Sequence, residues 1–335
     1  MRPTRRAVVD IGRKCNLNCM FCYHKHLGDL RKQGFKDFNA MVTEINNAKL
    51  RGNEWIDFTG GEPTICPDIY ALIDQVHSEG MKACIITNGI AAKPDELIRY
   101  KLDDLLVSIQ GPEEVHDKLA QHPNARRAQI EFLQAINGYI PFRFNTVINA
   151  LTQNRLYDTI VEMAGLIPYI WNFINFNPHY DWAASSEETQ GIIADLDIVQ
   201  RQMEQVIPTL ERLKRGVNLR YYPMCKISEE YRRVVCNDYH VSFDPYEWDY
   251  SIHPKTVEAH LRWALSGSQN TELKDFPCSH CKLYHICGGV NKYFYEAYKT
   301  NGHLLEPVKE YIGDYYDFYK YREQNILAFQ GMGGC

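Results

Sequence analysis

Between residues 7 and 176 the chain alternates short apolar runs with longer amphipathic ones, six times over. Runs of strand length cover residues 7–11, 54–58, 82–86, 104–109, 142–148 and 171–176. Between them apolar residues recur at three- and four-residue intervals, which predicts helices over 38–50, 68–78, 94–100, 124–137 and 155–166. Ile69, Leu72, Ile73 and Val76 share one helical face, and Pro94 stands where a first-turn proline belongs. Repeated strand–helix units imply a parallel sheet with right-handed crossovers. Six of them suffice for an α/β partial (β/α)6 barrel of the TIM type. In α/β barrels the chemistry sits at the C-terminal ends of the strands.

The segments after those strands are the informative ones. The first strand runs into Cys15-Asn16-Leu17-Asn18-Cys19-Met20-Phe21-Cys22, three cysteines in eight residues. A short loop with that spacing can place three thiolates on three corners of one iron–sulfur cluster. A [4Fe–4S] cluster normally takes four ligands, so one iron would stay open. The other readings are zinc, which favours four ligands in paired Cys-x2-Cys units, and a disulfide framework, which a chain without a secretion signal does not favour. The second strand runs into Thr59-Gly60-Gly61-Glu62-Pro63, whose glycines allow a sharp turn and close approach to a ligand. Asn88 ends the third strand, Ser108 and Gln110 end the fourth, Asn145 lies in the fifth, and Asn175, Asn177 and His179 end the sixth. Asn and Ser also serve turns and caps for reasons unrelated to ligands.

The remainder is less regular. Residues 185–216 are helical and partly acidic, residues 218–222 form a strand, and Cys225 and Cys236 follow. A second cysteine group, Cys278, Cys281 and Cys287, has Cys-x2-Cys-x5-Cys spacing and is followed by Gly288-Gly289. A helix is predicted over 315–329, ahead of a glycine-rich tail ending at Cys335. The expected domains are 1–184, a linker over 185–216, a cysteine-containing domain over 217–300, and a C-terminal helix and tail over 301–335.

A net charge of −5 gives no sign of a nucleic-acid partner. No apolar run approaches membrane-spanning length. With no export signal and six of the 11 cysteines in two clusters, a cofactor role in the reducing cytoplasm is expected.

The Cys-x3-Cys-x2-Cys loop, with Phe21 before its last cysteine, resembles the radical S-adenosylmethionine (SAM) superfamily. The resemblance implies a [4Fe–4S] cluster on Cys15, Cys19 and Cys22 whose open iron binds the amino and carboxylate groups of SAM. It implies reductive cleavage of SAM to methionine and a 5′-deoxyadenosyl radical, with an electron donor such as flavodoxin or ferredoxin. Gly60-Gly61-Glu62-Pro63 looks like the motif that holds the amino group of SAM, and Ser108 and Gln110 fall where ribose and carboxylate are met. Phe21, Asn88 and Asn145 join this cofactor-binding set, while Asn175, Asn177 and His179 are substrate candidates.

The second cysteine group resembles the auxiliary-cluster segment of SPASM and twitch-type members. The full SPASM pattern has a further cysteine four residues after the third, where this chain has Asn291. The resemblance therefore implies one auxiliary [4Fe–4S] cluster, its fourth ligand being Cys225 or, alternatively, Cys236. A zinc knuckle of Cys278, Cys281, Cys287 and either His280 or His285 is the other reading. For an epimerisation, Cys225, Cys236 or Cys335 could donate hydrogen. The substrate expected is a small metabolite or carbohydrate-related molecule. The first strand begins by Val8, without room for a leader-binding domain, so a peptide is the second expectation. A non-catalytic iron–sulfur electron carrier is the alternative of another class.

Overall fold

The structure, a computed structural model, describes residues 5–22, 24, 34–166, 168–176, 191–236, 248–249, 272–274, 276–284, 286–291, 295 and 305–311. Asn177, His179, His285, Cys335 and the helix expected over 315–329 lie outside the described residues.

The fold is the α/β partial TIM-type barrel that the alternation implies. Its strands are β1 (Arg6–Asp10), β2 (Trp55–Thr59), β3 (Lys82–Thr87), β4 (Asp104–Ser108), β5 (Phe142–Ile148), β6 (Ile170–Asn175), β7 (Gly216–Arg220), β8 (Val235–Cys236) and β9 (Trp248–Asp249). The helices are α1 (Phe38–Leu50), α2 (Ile69–Ser78), α3 (Pro94–Arg99), α4 (Glu113–Ala120), α5 (Ala125–Ile136), α6 (Leu156–Glu162) and α7 (Leu196–Arg212). A short antiparallel pair, β10 (Glu272–Leu273) and β11 (Val290–Asn291), lies further on.

The chain forms two compact units. One takes in Met1–Ile109, His116–Phe144 and Ser242–Ala264, the other Gln110–Val115, Asn145–Val241 and Leu265–Cys335. In the first, β4, β3, β2, β1 and β9 are neighbours in that order, each pair parallel. In the second, β6, β7 and β8 are parallel neighbours. This division departs from the domain limits expected from sequence. β7, which was expected to open a separate domain, joins the parallel sheet with Trp171 beside Val217 and Phe173 beside Leu219. The apolar Val217 and Leu219 are buried, which is what a strand covered on both faces requires.

Local sequence explains most helix placements. Asp37 caps α1 by accepting from the Ala40 N–H at 3.1 Å. α2 buries Ile69, Leu72, Ile73 and Val76, the face read from sequence. α4 was not read from sequence, although Glu113 and Glu114 in its first turn are ordinary helix-start signals.

The first unit also buries charge. Arg6 on β1 donates to Asp57 on β2 through Nε at 2.7 Å, and Arg143 at the start of β5 pairs with Asp104 of β4 at 2.8 Å. All four side chains are at most 3% exposed, so the two cations and two anions must satisfy one another. Burial works against the charge on Asp57, but Arg6 and Arg143 overcome it and hold the carboxyl below its ordinary range. Cys84 accepts a hydrogen bond from Arg143 at 3.3 Å. Its thiol is pushed well up by burial and by the two aspartates.

Candidate functional site

The three-cysteine loop is stitched to the ends of β2 and β3. Gly60 has φ +125°, and a Cβ there would lie 2.5 Å from the Gly12 carbonyl oxygen. A Cβ on Gly61 would lie 2.0 Å from the Lys14 carbonyl oxygen. That closeness lets the Gly61 and Glu62 N–H groups donate to the Gly12 and Lys14 carbonyls, both at 2.9 Å. The two glycines therefore clamp the backbone just ahead of Cys15. From the other side, the Asn88 amide donates to Asn16 Oδ1 at 2.8 Å. Beneath the loop, Leu17 is buried against Ala120 and Ala125, with Cys19 and Ile90 packed beside them. The Met20 N–H donates to the Leu119 carbonyl at 2.9 Å.

Glu62 is buried, and its carboxylate accepts four hydrogen bonds: Thr64 N–H (3.0 Å), Thr64 Oγ1 (2.7 Å), Thr87 Oγ1 (2.6 Å) and Asn88 N–H (2.7 Å). Burial pushes its carboxyl up, and these donors oppose the shift. The side chain thus ties β2 to β3, and Pro63 opens the short 3-10 turn Pro63–Ile65 that follows. What the motif can offer a cationic ligand is backbone. The Gly60 and Gly61 carbonyls accept no hydrogen bond among the described residues.

Cys15 is exposed, and Cys19, Cys22 and Phe21 are partly exposed. The Leu17 N–H points at Cys15 Sγ from 3.4 Å. No three His, Cys, Asp or Glu side chains among the described residues converge as ligands of a single ion. A cubane spreads its thiolates over separate irons, so a three-thiol loop reachable from solvent fits that group.

Sequence reasoning missed Gln129. It is fully buried on α5, and its amide donates to the Asn88 carbonyl at 2.8 Å and the Ser108 carbonyl at 2.7 Å. It therefore fixes the ends of β3 and β4, where Asn88 and Ser108 stand. The signal was a polar residue among Ala125, Leu133 and Ile136 on the buried face of the helix. His116 on α4 was also missed. Burial and Arg126 lower its pKa to about 3.

In the second unit Gln110 is buried, and its Oε1 accepts from the Val147 N–H at 2.9 Å. The side chain thereby anchors β5. Asn145 belongs to a row of amides across three strands. Asn218 donates to Asn172 Oδ1 at 2.8 Å, and Asn172 donates to Asn145 Oδ1 at 2.9 Å. Asn175 is buried and donates to the Tyr221 carbonyl at 3.2 Å.

Four cysteines of this unit line one cavity: Cys225, Cys278, Cys281 and Cys287. Cys225 comes from the 3-10 turn Met224–Lys226 after β7, and Cys278 from the turn Phe276–His280. Backbone N–H groups aim at the sulfurs: Met224 (3.5 Å) and Gly289 (3.3 Å) at Cys287, and Val308 (3.4 Å) at Cys281. The Glu306 N–H does the same for Cys225. Burial raises the Cys225 thiol, with Cys278 and Cys281 adding to the shift. Burial pushes Cys287 up to about 12 against its two N–H donors. Four cysteines on one cavity, with N–H donors aimed at three of the sulfurs, fit the donor set of a [4Fe–4S] cluster. Cys236 does not share this cavity. It is buried on β8 opposite Arg220 of β7. His280 does not line the cavity either.

Residues 9–163 match the family model of the Radical SAM superfamily. Among curated proteins, the chain is similar to an S-adenosylmethionine-dependent nucleotide dehydratase of Flammeovirga pacifica. They are 29% identical over 168 residues, covering 45% of this chain and 56% of the relative. It is also similar to a PqqA peptide cyclase of Methylorubrum extorquens, 26% identical over 218 residues, covering 62% of this chain and 54% of the relative. The chain thus spans about half the length of these curated relatives.

Two solved structures share the fold. Streptococcus suis SuiB bound to S-adenosylmethionine has a TM-score of 0.56 at 18% identity, over 93% of this chain and 76% of the other. anSMEcpe with bound AdoMet and the Cp18Cys peptide has a TM-score of 0.57 at 14% identity, over 98% and 99%. No helix among the described residues is long and apolar enough to cross a membrane.

Proposed function

We propose that the chain is a radical SAM enzyme whose first cysteine loop holds the SAM-cleaving [4Fe–4S] cluster, and that Cys225, Cys278, Cys281 and Cys287 hold a second, closed cluster. Cys15, Cys19 and Cys22 would hold the first cluster, which when bound would supply the one-electron reduction of SAM that leads to hydrogen abstraction from a substrate C–H bond. The observation that carries this reading is the clamp of Gly60 and Gly61 on the backbone before Cys15, which holds a three-thiol loop at the end of a barrel strand.

The residues divide the work. Cys15, Cys19 and Cys22 supply three thiolates and leave one coordination position for SAM. The Gly60 and Gly61 carbonyls suit the ammonium group of SAM, because an N–H donor needs acceptors. Glu62, Gln129 and Asn88 hold the surrounding strand ends still, so that the bound cofactor meets a fixed geometry. In the second unit four protein thiols leave no iron open, which suits one-electron transfer rather than substrate ligation. Cys225 then serves as a ligand, not a hydrogen donor.

For the substrate, the amide row Asn145, Asn172 and Asn218 favours a polar small molecule that accepts and donates hydrogen bonds. A peptide is the second reading, supported by the similarity to a PqqA peptide cyclase. The test uses the anaerobically reconstituted full chain with dithionite and SAM. The reading expects 5′-deoxyadenosine from the wild type and none from C15A. It also expects a small-molecule fraction of cell extract to raise that yield. If only a peptide fraction does so, the second reading replaces the first. Cleavage that survives C15A would refute the site assignment.

A further inference from the structure

We propose that Lys274 sets the reduction potential of the second cluster, holding it high enough to accept electrons readily. This rests on the reading that Cys225, Cys278, Cys281 and Cys287 hold a [4Fe–4S] cluster. Among the described residues that line their cavity, Lys274 is the one cation and Glu306 the one anion. Lys274 is fixed in place. Its Nζ donates to the Tyr284 carbonyl at 2.6 Å and lies 4.4 Å from the centre of the Tyr284 ring. An ammonium over an aromatic face is held there electrostatically. Tyr284 lines the same cavity, so the charge stays beside the sulfurs.

No carboxylate among the described residues pairs with Lys274. The nearby Lys226, by contrast, is paired with Asp197 at 3.3 Å. Glu306 turns its backbone N–H toward Cys225, and the residue itself is exposed. Reduction adds an electron to a cluster that four thiolates already make anionic. A fixed cation nearby favours that added charge and raises the midpoint, because cluster potentials follow local charge, sulfur hydrogen bonds and exposure. The four N–H groups aimed at Cys225, Cys281 and Cys287 act in the same direction.

The experiment is an EPR-monitored redox titration of the full chain carrying C15A, C19A and C22A, anaerobically reconstituted, so that the second cluster alone gives the signal. K274M keeps the stem and removes the charge, while K274R keeps the charge. With about four irons retained in each variant, K274M should titrate at a more negative midpoint than its parent, and K274R close to the parent. A K274M midpoint equal to the parent's, at full iron content, would overturn the proposal alone. So would a K274R shift as large as that of K274M, or loss of the cluster in K274M, because packing rather than charge would then be responsible. A parent with no iron at all would overturn both the proposal and the reading of the second site.

Discussion

The two cysteine groups solve opposite problems. Cys15, Cys19 and Cys22 come from one eight-residue stretch, and their loop owes its shape to neighbours that carry no sulfur: Gly60, Gly61, Asn88 and Leu119. Cys225 comes from a different segment than Cys278, Cys281 and Cys287, and all four line a cavity where backbone N–H groups turn toward sulfur. The first group offers three thiols and is exposed at Cys15; the second brings four to one cavity. An incomplete set can take up a reactant, whereas a complete set can only pass electrons. The difference is made by what holds each group, and each hold can be removed separately.

The largest expected effect comes from the ligands themselves. Replacing Cys15, Cys19 and Cys22 with Ala should abolish SAM cleavage and lower iron from about eight to about four per chain. Retained cleavage would end the comparison. Next comes the clamp. In G61A the new Cβ would need the space of the Lys14 carbonyl, at 2.0 Å, so the backbone ahead of Cys15 must move. Loss of at least ten-fold in SAM cleavage is expected, with iron at the second site intact, as read by parallel assay and iron analysis. Equal damage to both sites would mean that Gly61 supports the whole fold rather than the loop.

The second group is broken by C225S, which should remove about four irons while cleavage of SAM continues. C236S should keep full iron content, since Cys236 is outside the cavity. The reverse result would exchange the two assignments.

The smallest effect is a pH dependence confined to the first unit. His116 is held neutral by burial and by Arg126, with a folded pKa of about 3 against 6.5 in an unfolded chain. Below pH 6.5 the unfolded state therefore takes up a proton that the folded state refuses. The stabilisation is complete above that pH and is lost as pH falls toward 3, by at most about 1.4 kcal/mol per pH unit. Urea unfolding of H116Q should show a flatter acid limb than the wild type. An unchanged limb would remove His116 from the account. Because α4 also supplies the Leu119 carbonyl that holds Met20, acid should release iron from the first site before the second.

Sequence carried much of this because the decisive features were local. The strand–helix alternation has a fixed period, and the first cysteine group has a fixed spacing, so both were legible without knowing any long-range contact. What could not be read were contacts between distant segments. Spacing alone does not link Cys225 to Cys278; the family resemblance favoured Cys225 over Cys236, and Cys225 lines one cavity with Cys278. Glu62 looked like a ligand contact because it sits in the glycine motif, yet its carboxylate is committed to Thr64, Thr87 and Asn88. Gln129 was hidden because a buried amide on a helix is recognisable only from the strand ends it holds. β7 was assigned to a separate domain because one short apolar run does not reveal which strand it will pair with.

The most direct test of an open site beside a closed one is the EPR spectrum of the reduced, fully reconstituted chain with and without SAM. It is recorded in the C225S variant and in the variant lacking Cys15, Cys19 and Cys22. The account expects SAM to change the spectrum in C225S, where the first cluster alone remains, and to leave the other variant's spectrum unchanged. A SAM-induced change in the variant that keeps only Cys225, Cys278, Cys281 and Cys287 would contradict the closed assignment.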